Sequence, residues 1–569
     1  MMFHLFILCI SIFLNANAFA KTTLQQSIIY SKHNLSAQGP GTVKAQTESE
    51  VCIFCHTPHN ATSNAPLWNR YESGQVYLTY SSSTTMASIG QPTGASKLCL
   101  SCHDGMVAIG MVRSREQEIP FSGGLGVIAG SESNLGTNLA HDHPISFVYD
   151  SALAMKNTQL KDPASLTGDV KLDKSGQIQC TSCHDPHHND YGKFLTIDGH
   201  FSNLCASCHN MTGWIQSSHR ISSATWNGTG SNPWPHTSWK TVAENGCENC
   251  HRPHKADSKE RLLNYGIEES NCYPCHNGNV AGKNIAYEFR KSSVHPVMDT
   301  IGVHNPSEGA LVTGPRHVKC VDCHNPHAVN SQGGLVPSTI RMVKGVDHNG
   351  IAVKEIRYEY ELCFRCHGDS SASRAYVNRQ SPELNTRLAF DPSNASYHPM
   401  INIGKGANVP SLIFPYTTSS IIQCASCHNS NSGPNNFGQG PNGPHGSDFA
   451  PILERQLMTN DGQFESAQSY ALCYKCHDRN SILNNQSFPK HREHVDNQSI
   501  PCTACHDSHG VKNAQHLINF DRNIVQPNSA GVLRYESTGR FAGRCFLKCH
   551  NSNHNPFSYG DGANDQTKK

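Results

Sequence analysis

Residues 180–187 read Cys-Thr-Ser-Cys-His-Asp-Pro-His, and residues 204–209 read Leu-Cys-Ala-Ser-Cys-His. A pair of cysteines three residues apart, with His directly after the second, recurs along the whole 569-residue chain. It falls at Cys52/Cys55/His56, Cys99/Cys102/His103, Cys180/Cys183/His184, Cys205/Cys208/His209, Cys247/Cys250/His251 and Cys272/Cys275/His276. It returns at Cys320/Cys323/His324, Cys363/Cys366/His367, Cys424/Cys427/His428, Cys473/Cys476/His477 and Cys502/Cys505/His506. A twelfth site, Cys545/Cys549/His550, carries one extra residue between its cysteines. Of 25 cysteines only Cys9 stands outside a motif. Chance would supply roughly 0.07 such motifs at these Cys and His frequencies.

C-x-x-C-H is the attachment signature of c-type haem. Two thiols about one helical turn apart reach the two vinyl groups of one porphyrin, and the following His lies under the iron as proximal ligand. A disulfide framework of an exported protein would not require His after every second Cys. Zinc ribbons would not require a twelve-fold Cys-His step either. The expected cofactor is therefore haem c, twelve per chain, with all 24 motif cysteines as thioether donors and the twelve motif histidines as proximal ligands.

The motifs form six pairs. The first member of a pair usually extends to a second His: CIFCHTPH at 52–59, CTSCHDPH, CENCHRPH at 247–254, CVDCHNPH at 320–327 and CTACHDSH at 502–509. In the fifth pair a Gly/Asn-rich insertion pushes this His out to His445. The second member is plainer, typically Leu-Cys-x-x-Cys-His. Isolated histidines fall between pairs, often in a His-Pro step: His143-Pro144, His295-Pro296 and His398-Pro399.

This pattern resembles the doubled-CXXCH family of multihaem c-type cytochromes, periplasmic or outer-surface electron carriers of metal-reducing bacteria. The likeness is carried by Ser31–Ser36 (SKHNLS), CIFCHTPHNA, APLWNR, LCLSCHDG, HLINFD and CFLKCHNSNHNP, and it spans nearly the whole chain after residue 20. The fifth pair and the C-x-x-x-C-H site depart from the common pattern. The resemblance implies cytochromes and other redox proteins as partners, in anaerobic or extracellular respiration.

Composition agrees. Hydrophobic residues are 37% and charged residues 16%, too little apolar side chain to offset the ordering entropy of so long a chain. With roughly 46 residues for each motif, haem must supply most of the core. The expected fold is a multihaem cytochrome c, mostly coil with short α-helices at the motifs and little β, elongated, with haems in a chain. The net charge of +1 gives no basic patch for nucleic acid, and twelve haems would add up to about 24 propionate charges. The N-terminus carries an apolar run from Phe3 to Leu14 and a small-residue site, Ala18-Phe19-Ala20, the pattern of a secretory signal peptide over residues 1–20. Export to the periplasm or outer surface follows. The remaining chain divides into 21–150 with pair one, 151–300 with pairs two and three, 301–400 with pair four and 401–569 with pairs five and six. The long gaps near 106–179 and 368–423 read equally as module seams and as surface loops.

An iron that only carries electrons needs a second axial ligand. Met recurs nowhere in register, whereas two His series do. One follows the first motif of each pair: His59, His187, His254, His327, His445 and His509. The other lies between pairs: His33, His143, His219, His295, His398 and His494. Together they match twelve haems. The phase stays open: the inter-pair His serves the motif before it or the one after it. In the first case the series ends at His554 and His33 is spare; His236 and His491 are alternatives to His219 and His494. His59-type residues lie too near their own proximal His to reach the far side of the same haem, so each should ligate a neighbouring one. His141, His188, His200, His304, His317, His348 and His516 have no repeat counterpart and read as surface residues.

The leading functional reading is a bis-His electron wire without catalysis. A multihaem reductase would need one open iron, and no C-x-x-C-K motif advertises one. A subunit that polymerises into a conducting filament, or that plugs an outer-membrane porin, would keep the same haem chain.

Overall fold

A computed structural model describes residues 27–62, 67–124, 126–128, 130, 132–312, 317–330, 336–369 and 376–560. The expected signal peptide lies outside the described residues. Among these residues most of the chain is coil and turn, punctuated by helices of one to three turns. Nearly every helix that matters sits on a motif. The longer ones are Gly94–His103, Glu269–His276 and Glu359–His367, each ending in its motif His. Single turns cover Cys52–Phe54, Cys180–Cys183, Cys320–Cys323, Cys424–Ser426 and Cys502–Ala504.

The turn has a simple cause. In C-x-x-C-H the His stands four residues after the first Cys, the spacing of an α-helical hydrogen bond. The His N–H accordingly donates to the first Cys carbonyl at His56, His184, His251, His324, His428 and His506, at 2.8–3.0 Å. This closes the loop and sets both thiols and the imidazole on one side.

β-structure is sparse, as expected, with one exception. Three two-residue ladders clip distant segments together, such as Ser293–Val294 against Gly446–Ser447, and a fourth closes a local hairpin at Gly345–Val346 and Ala352–Val353. At the C-terminus, Arg534–Gly539, Ala542–Cys549 and Ser552–Tyr559 form an antiparallel meander with Ala542–Cys549 in the middle. The twelfth motif therefore lies on a strand, not a helical turn. The extra residue places His550 five positions after Cys545, out of α-turn register, so the closing bond of the other motifs is not available.

Side chains form only small, separate apolar clusters. One gathers Ala45, Phe54, Ile109, Val112, Ile119 and Phe121; another gathers Ile500, Ala504, Phe520, Val525 and Leu547. Between them runs one continuous cavity of about 4710 Å³, several times the roughly 300–1,000 Å³ of an ordinary ligand pocket. It is lined by cysteines and histidines from the first motif to the ninth, Cys52 to His428. No helix among the described residues is long and apolar enough to cross a membrane.

Candidate haem sites

Several motif histidines are held from behind by a backbone carbonyl. His184 Nδ1 lies 2.9 Å from the Lys193 carbonyl, His251 Nδ1 2.8 Å from Arg261, His428 Nδ1 3.0 Å from Pro451 and His506 Nδ1 2.9 Å from His516. In each case the carbonyl belongs to the residue two before a bridge partner of the same His: Leu195, Leu263, Leu453 and Ile518. Left-handed residues swing these carbonyls inward, with φ of 49° and 56° at Lys193 and Phe194, and 58° and 57° at His516 and Leu517. Non-Gly residues there cost about 1–3 kcal/mol each and persist only where the surroundings demand them. The device survives the fifth-pair insertion, which merely lengthens the loop between His428 and Leu453. Engaging Nδ1 leaves Nε2 as the free ring nitrogen, the arrangement that orients a metal-binding imidazole.

The Nε2 sides meet other imidazoles. His103 faces His33 with ring centroids 6.2 Å apart, His209 faces His143 at 6.3 Å, His276 faces His219 at 6.1 Å and His367 faces His295 at 6.3 Å. His56 faces His187 at 6.2 Å, His184 faces His254 at 6.1 Å, His251 faces His327 at 6.2 Å, His324 faces His445 at 6.0 Å and His428 faces His509 at 6.2 Å. His506 faces His491 at 6.4 Å. Two imidazoles on opposite sides of one metal, with nitrogen bonds of roughly 2.0–2.1 Å and about 1.1 Å from nitrogen to ring centre, have centroids about 6.2 Å apart. The residues present fit a bis-His haem at these ten motifs. At the tenth motif His398 is the foremost charged neighbour of His477.

The pairing has a phase. The inter-pair His stands opposite the second motif of the pair after it. The His of a first motif stands opposite the first motif of the pair before it. The two are joined: His33 Nδ1 bonds the carbonyl of Pro186 at 3.0 Å, beside His187, and His219 Nδ1 that of Pro326 at 2.9 Å, beside His327. His295 bonds Pro444, beside His445, at 2.6 Å, and His398 bonds Ser508, beside His509. His59, in the first pair, is exposed. At the sixth pair His491 stands opposite His506, with His494 in the adjoining turn.

Ring planes alternate over the first five pairs. Opposite their first motifs the two imidazoles are near parallel, at 16°, 33°, 11°, 15° and 20° in chain order; at the sixth, His506 and His491 stand at 42°. Opposite second motifs they cross, at 69°, 85°, 78° and 60°.

The thiols run as a single file. Cys99 and Cys180, Cys205 and Cys247, Cys272 and Cys320, and Cys363 and Cys424 lie in thiol–thiol contact across successive pairs. Within pairs Cys55 neighbours Cys102, Cys183 neighbours Cys208 and Cys250 neighbours Cys275. Burial pushes the Cys55, Cys183 and Cys250 thiols up to about 12, and it pulls the imidazole of His209 down to about 4. Burial thus keeps the imidazoles in the neutral, metal-binding form. Polar side chains fasten the seams. Ser96 Oγ accepts the Cys180 N–H at 3.0 Å, Ser202 Oγ the Cys247 N–H at 2.8 Å, and Glu359 Oε1 the Ala425 N–H at 2.7 Å. Sequence reading missed these residues, although each stands three or four positions before the first Cys of a second motif.

The twelfth motif does not fit. His550 Nε2, the nitrogen left free elsewhere, lies 2.7 Å from Asp461 Oδ2. Cys545 and Cys549 lie in a strand, near Cys505. His494 is a charged neighbour of both His550 and His554.

The motifs and facing imidazoles are those of multihaem c-type cytochromes, and the comparisons agree. The doubled CXXCH motif matches residues 174–213 and 240–281. The multiheme cytochrome MtrA of Shewanella baltica (strain OS185) is 27% identical over 292 residues, which span 45% of this chain and 68% of that protein.

Proposed function

We propose that the chain is an exported twelve-haem wire in which every iron of the first eleven motifs is closed by two histidines. The haem supplies a reversible one-electron change at iron. The protein's part is to hold each imidazole neutral and aimed, to file the attachment thiols in chain order, and to exclude solvent from the space between them. The observation that carries this reading is the set of facing imidazoles at 6.0–6.4 Å. Closed irons bind no substrate, so the chain acts as a carrier rather than a reductase. Its partners are other redox proteins, with an outer-membrane porin or further copies of the chain as its setting, in anaerobic or extracellular respiration. The segments 21–150, 151–300, 301–400 and 401–569 are haem-pair modules sewn together by ligands that cross each seam. At the twelfth motif Cys545, Cys549 and His550 would hold the haem, with His494 or His554 as the candidate second ligand.

Mass spectrometry of the exported protein tests the count. Twelve haems are expected; eleven would assign the loss to Cys545/Cys549, and fewer than ten would refute the wire. Carbon monoxide tests closure: the reduced protein should be nearly inert, and fast binding at several irons would favour a reductase.

A further inference from the structure

His304, Glu308 and His317 have no counterpart in the repeat, yet they converge. One donor atom from each lies within 4.8 Å of the other two. His317 Nε2 is 3.2 Å from Glu308 Oε1, and His304 Nδ1 is 4.0 Å from Glu308 Oε2. Asp322 joins them, its Oδ1 3.4 Å from His304 Nδ1. Ligands held roughly 2.0–2.1 Å from a tetrahedral ion stand about 3.3–3.4 Å apart; His317 and Glu308 are at that spacing, and His304 stands slightly farther from Glu308. The His304 side chain is only 10% exposed, and neither its Nδ1 nor Glu308 Oε2 makes a hydrogen bond. Buried polar atoms are normally hydrogen-bonded; these two have only ion-pair neighbours, Asp322 and Arg365 besides each other, and keep their hydrogen-bonding capacity unused.

The ligands are also braced. The His304 N–H donates to Glu268 Oε2 at 2.8 Å, and its carbonyl accepts from Arg261 Nη2 at 2.9 Å. Lys344 Nζ donates to the Glu308 carbonyl at 2.7 Å. Asp322 Oδ2 accepts the Lys319 N–H at 2.8 Å, which orients Oδ1 toward His304. Arg365 Nη2 lies 3.4 Å from Asp322 Oδ1 and 3.9 Å from Glu308 Oε2. It balances one carboxylate and leaves one negative charge with two imidazoles.

We propose that His304, Glu308 and His317 bind one divalent transition-metal ion of the zinc class, separate from the haem irons, with Asp322 beside His304. Two imidazoles and one carboxylate suit that class, whereas magnesium and calcium take six or more oxygens. Asp322 lies inside the seventh motif, and Arg365 inside the eighth. The ion would thus add positive charge where these two motifs meet and favour the reduced form of the haems there.

The test uses the exported holoprotein, stripped with a chelator, equilibrated with zinc, desalted and analysed for zinc against iron. One zinc per chain is expected to remain. Glu308→Gln and His317→Ala should each bind it at least about 100-fold more weakly, since loss of an outer-shell partner alone costs roughly 10–100-fold. Iron content and low-spin spectra should be unchanged. His348→Ala, outside the cluster, should retain the ion. Zinc-edge X-ray absorption on the unaltered protein provides a readout independent of folding: two imidazoles and a carboxylate oxygen at roughly 2.0–2.1 Å. Zinc held equally by Glu308→Gln, no zinc retained by the unaltered protein, or an all-oxygen six-coordinate shell would each overturn the proposal.

Discussion

Substituting His187 by Ala should open the iron attached at Cys52/Cys55 and no other. His187 sits in the third motif's sequence, CTSCHDPH, yet its ring faces His56 at 6.2 Å and 16°. The ring is largely exposed, with 56% of its side chain accessible, so the loss of packing should stay within about 0.5 kcal/mol. The effect should therefore appear at iron: one haem in twelve, roughly 8% of the total, turning high-spin and binding carbon monoxide. Titration of the reduced variant with carbon monoxide gives the stoichiometry. A second step locates the open site. Adding Cys52→Ser and Cys55→Ser removes the first haem, and carbon monoxide binding should vanish. Adding Cys180→Ser and Cys183→Ser instead should leave it intact. If the first combination still binds carbon monoxide, His187 serves a haem of its own pair, and the cross-seam phase is wrong.

Three further outcomes follow from the same geometry. Because the splitting of the iron d-orbitals depends on the relative orientation of the two imidazole planes, frozen-solution electron paramagnetic resonance should resolve two low-spin populations, about equal, for the near-parallel and crossed sets; one uniform population would contradict the alternation. Lys319 and Glu269 form a 3.0 Å ion pair with side chains 3% and 1% exposed, so Lys319→Met should destabilise by about 3–5 kcal/mol by stranding the carboxylate, and adding Glu269→Leu should recover most of it, read as unfolding midpoints. Burial raises the Glu359 carboxyl above its ordinary 4.5, partly offset by the Ala425 N–H; its contribution to stability is then full below 4.5 and lost as pH rises through the raised value, so Glu359→Gln should flatten the pH dependence of the melting temperature in that window, and an unchanged slope would show that the charge is not the cause.

Much of this was legible in the chain because the motif encodes its own local structure. Four residues from Cys52 to His56 both define haem attachment and close an α-turn, so chemistry and conformation are read from the same letters. The low apolar content likewise announced small side-chain clusters, of which Phe54 with Phe121 and Ala504 with Phe520 are examples. The partner of each second His was not legible. Recurrence of His33, His143 and His219 fixes how many ligands exist, but not which iron each reaches through space, since the intervening coil has no periodic geometry to project. The seam contacts were hidden for a related reason. Ser96, Ser202 and Glu359 are unlike residues that share a position and a task, accepting a backbone N–H from the next motif, so no identity pattern marked them.

The first five pairs in this sequence each take a ligand from the pair that follows. At the sixth pair the facing ring is local: His491 faces His506, with His494 in the adjoining turn, among the ring contacts of Phe488. A cross-seam ligand also couples neighbours energetically, because an imidazole bound to iron in one pair holds the backbone of the next. Removing His187 should therefore loosen residues 180–195 as well as open the first haem, and hydrogen exchange should report faster opening there than around His327, two seams away. Equal protection in both places would mean that the pairs are independent beads and that crossing ligation adds nothing to cohesion.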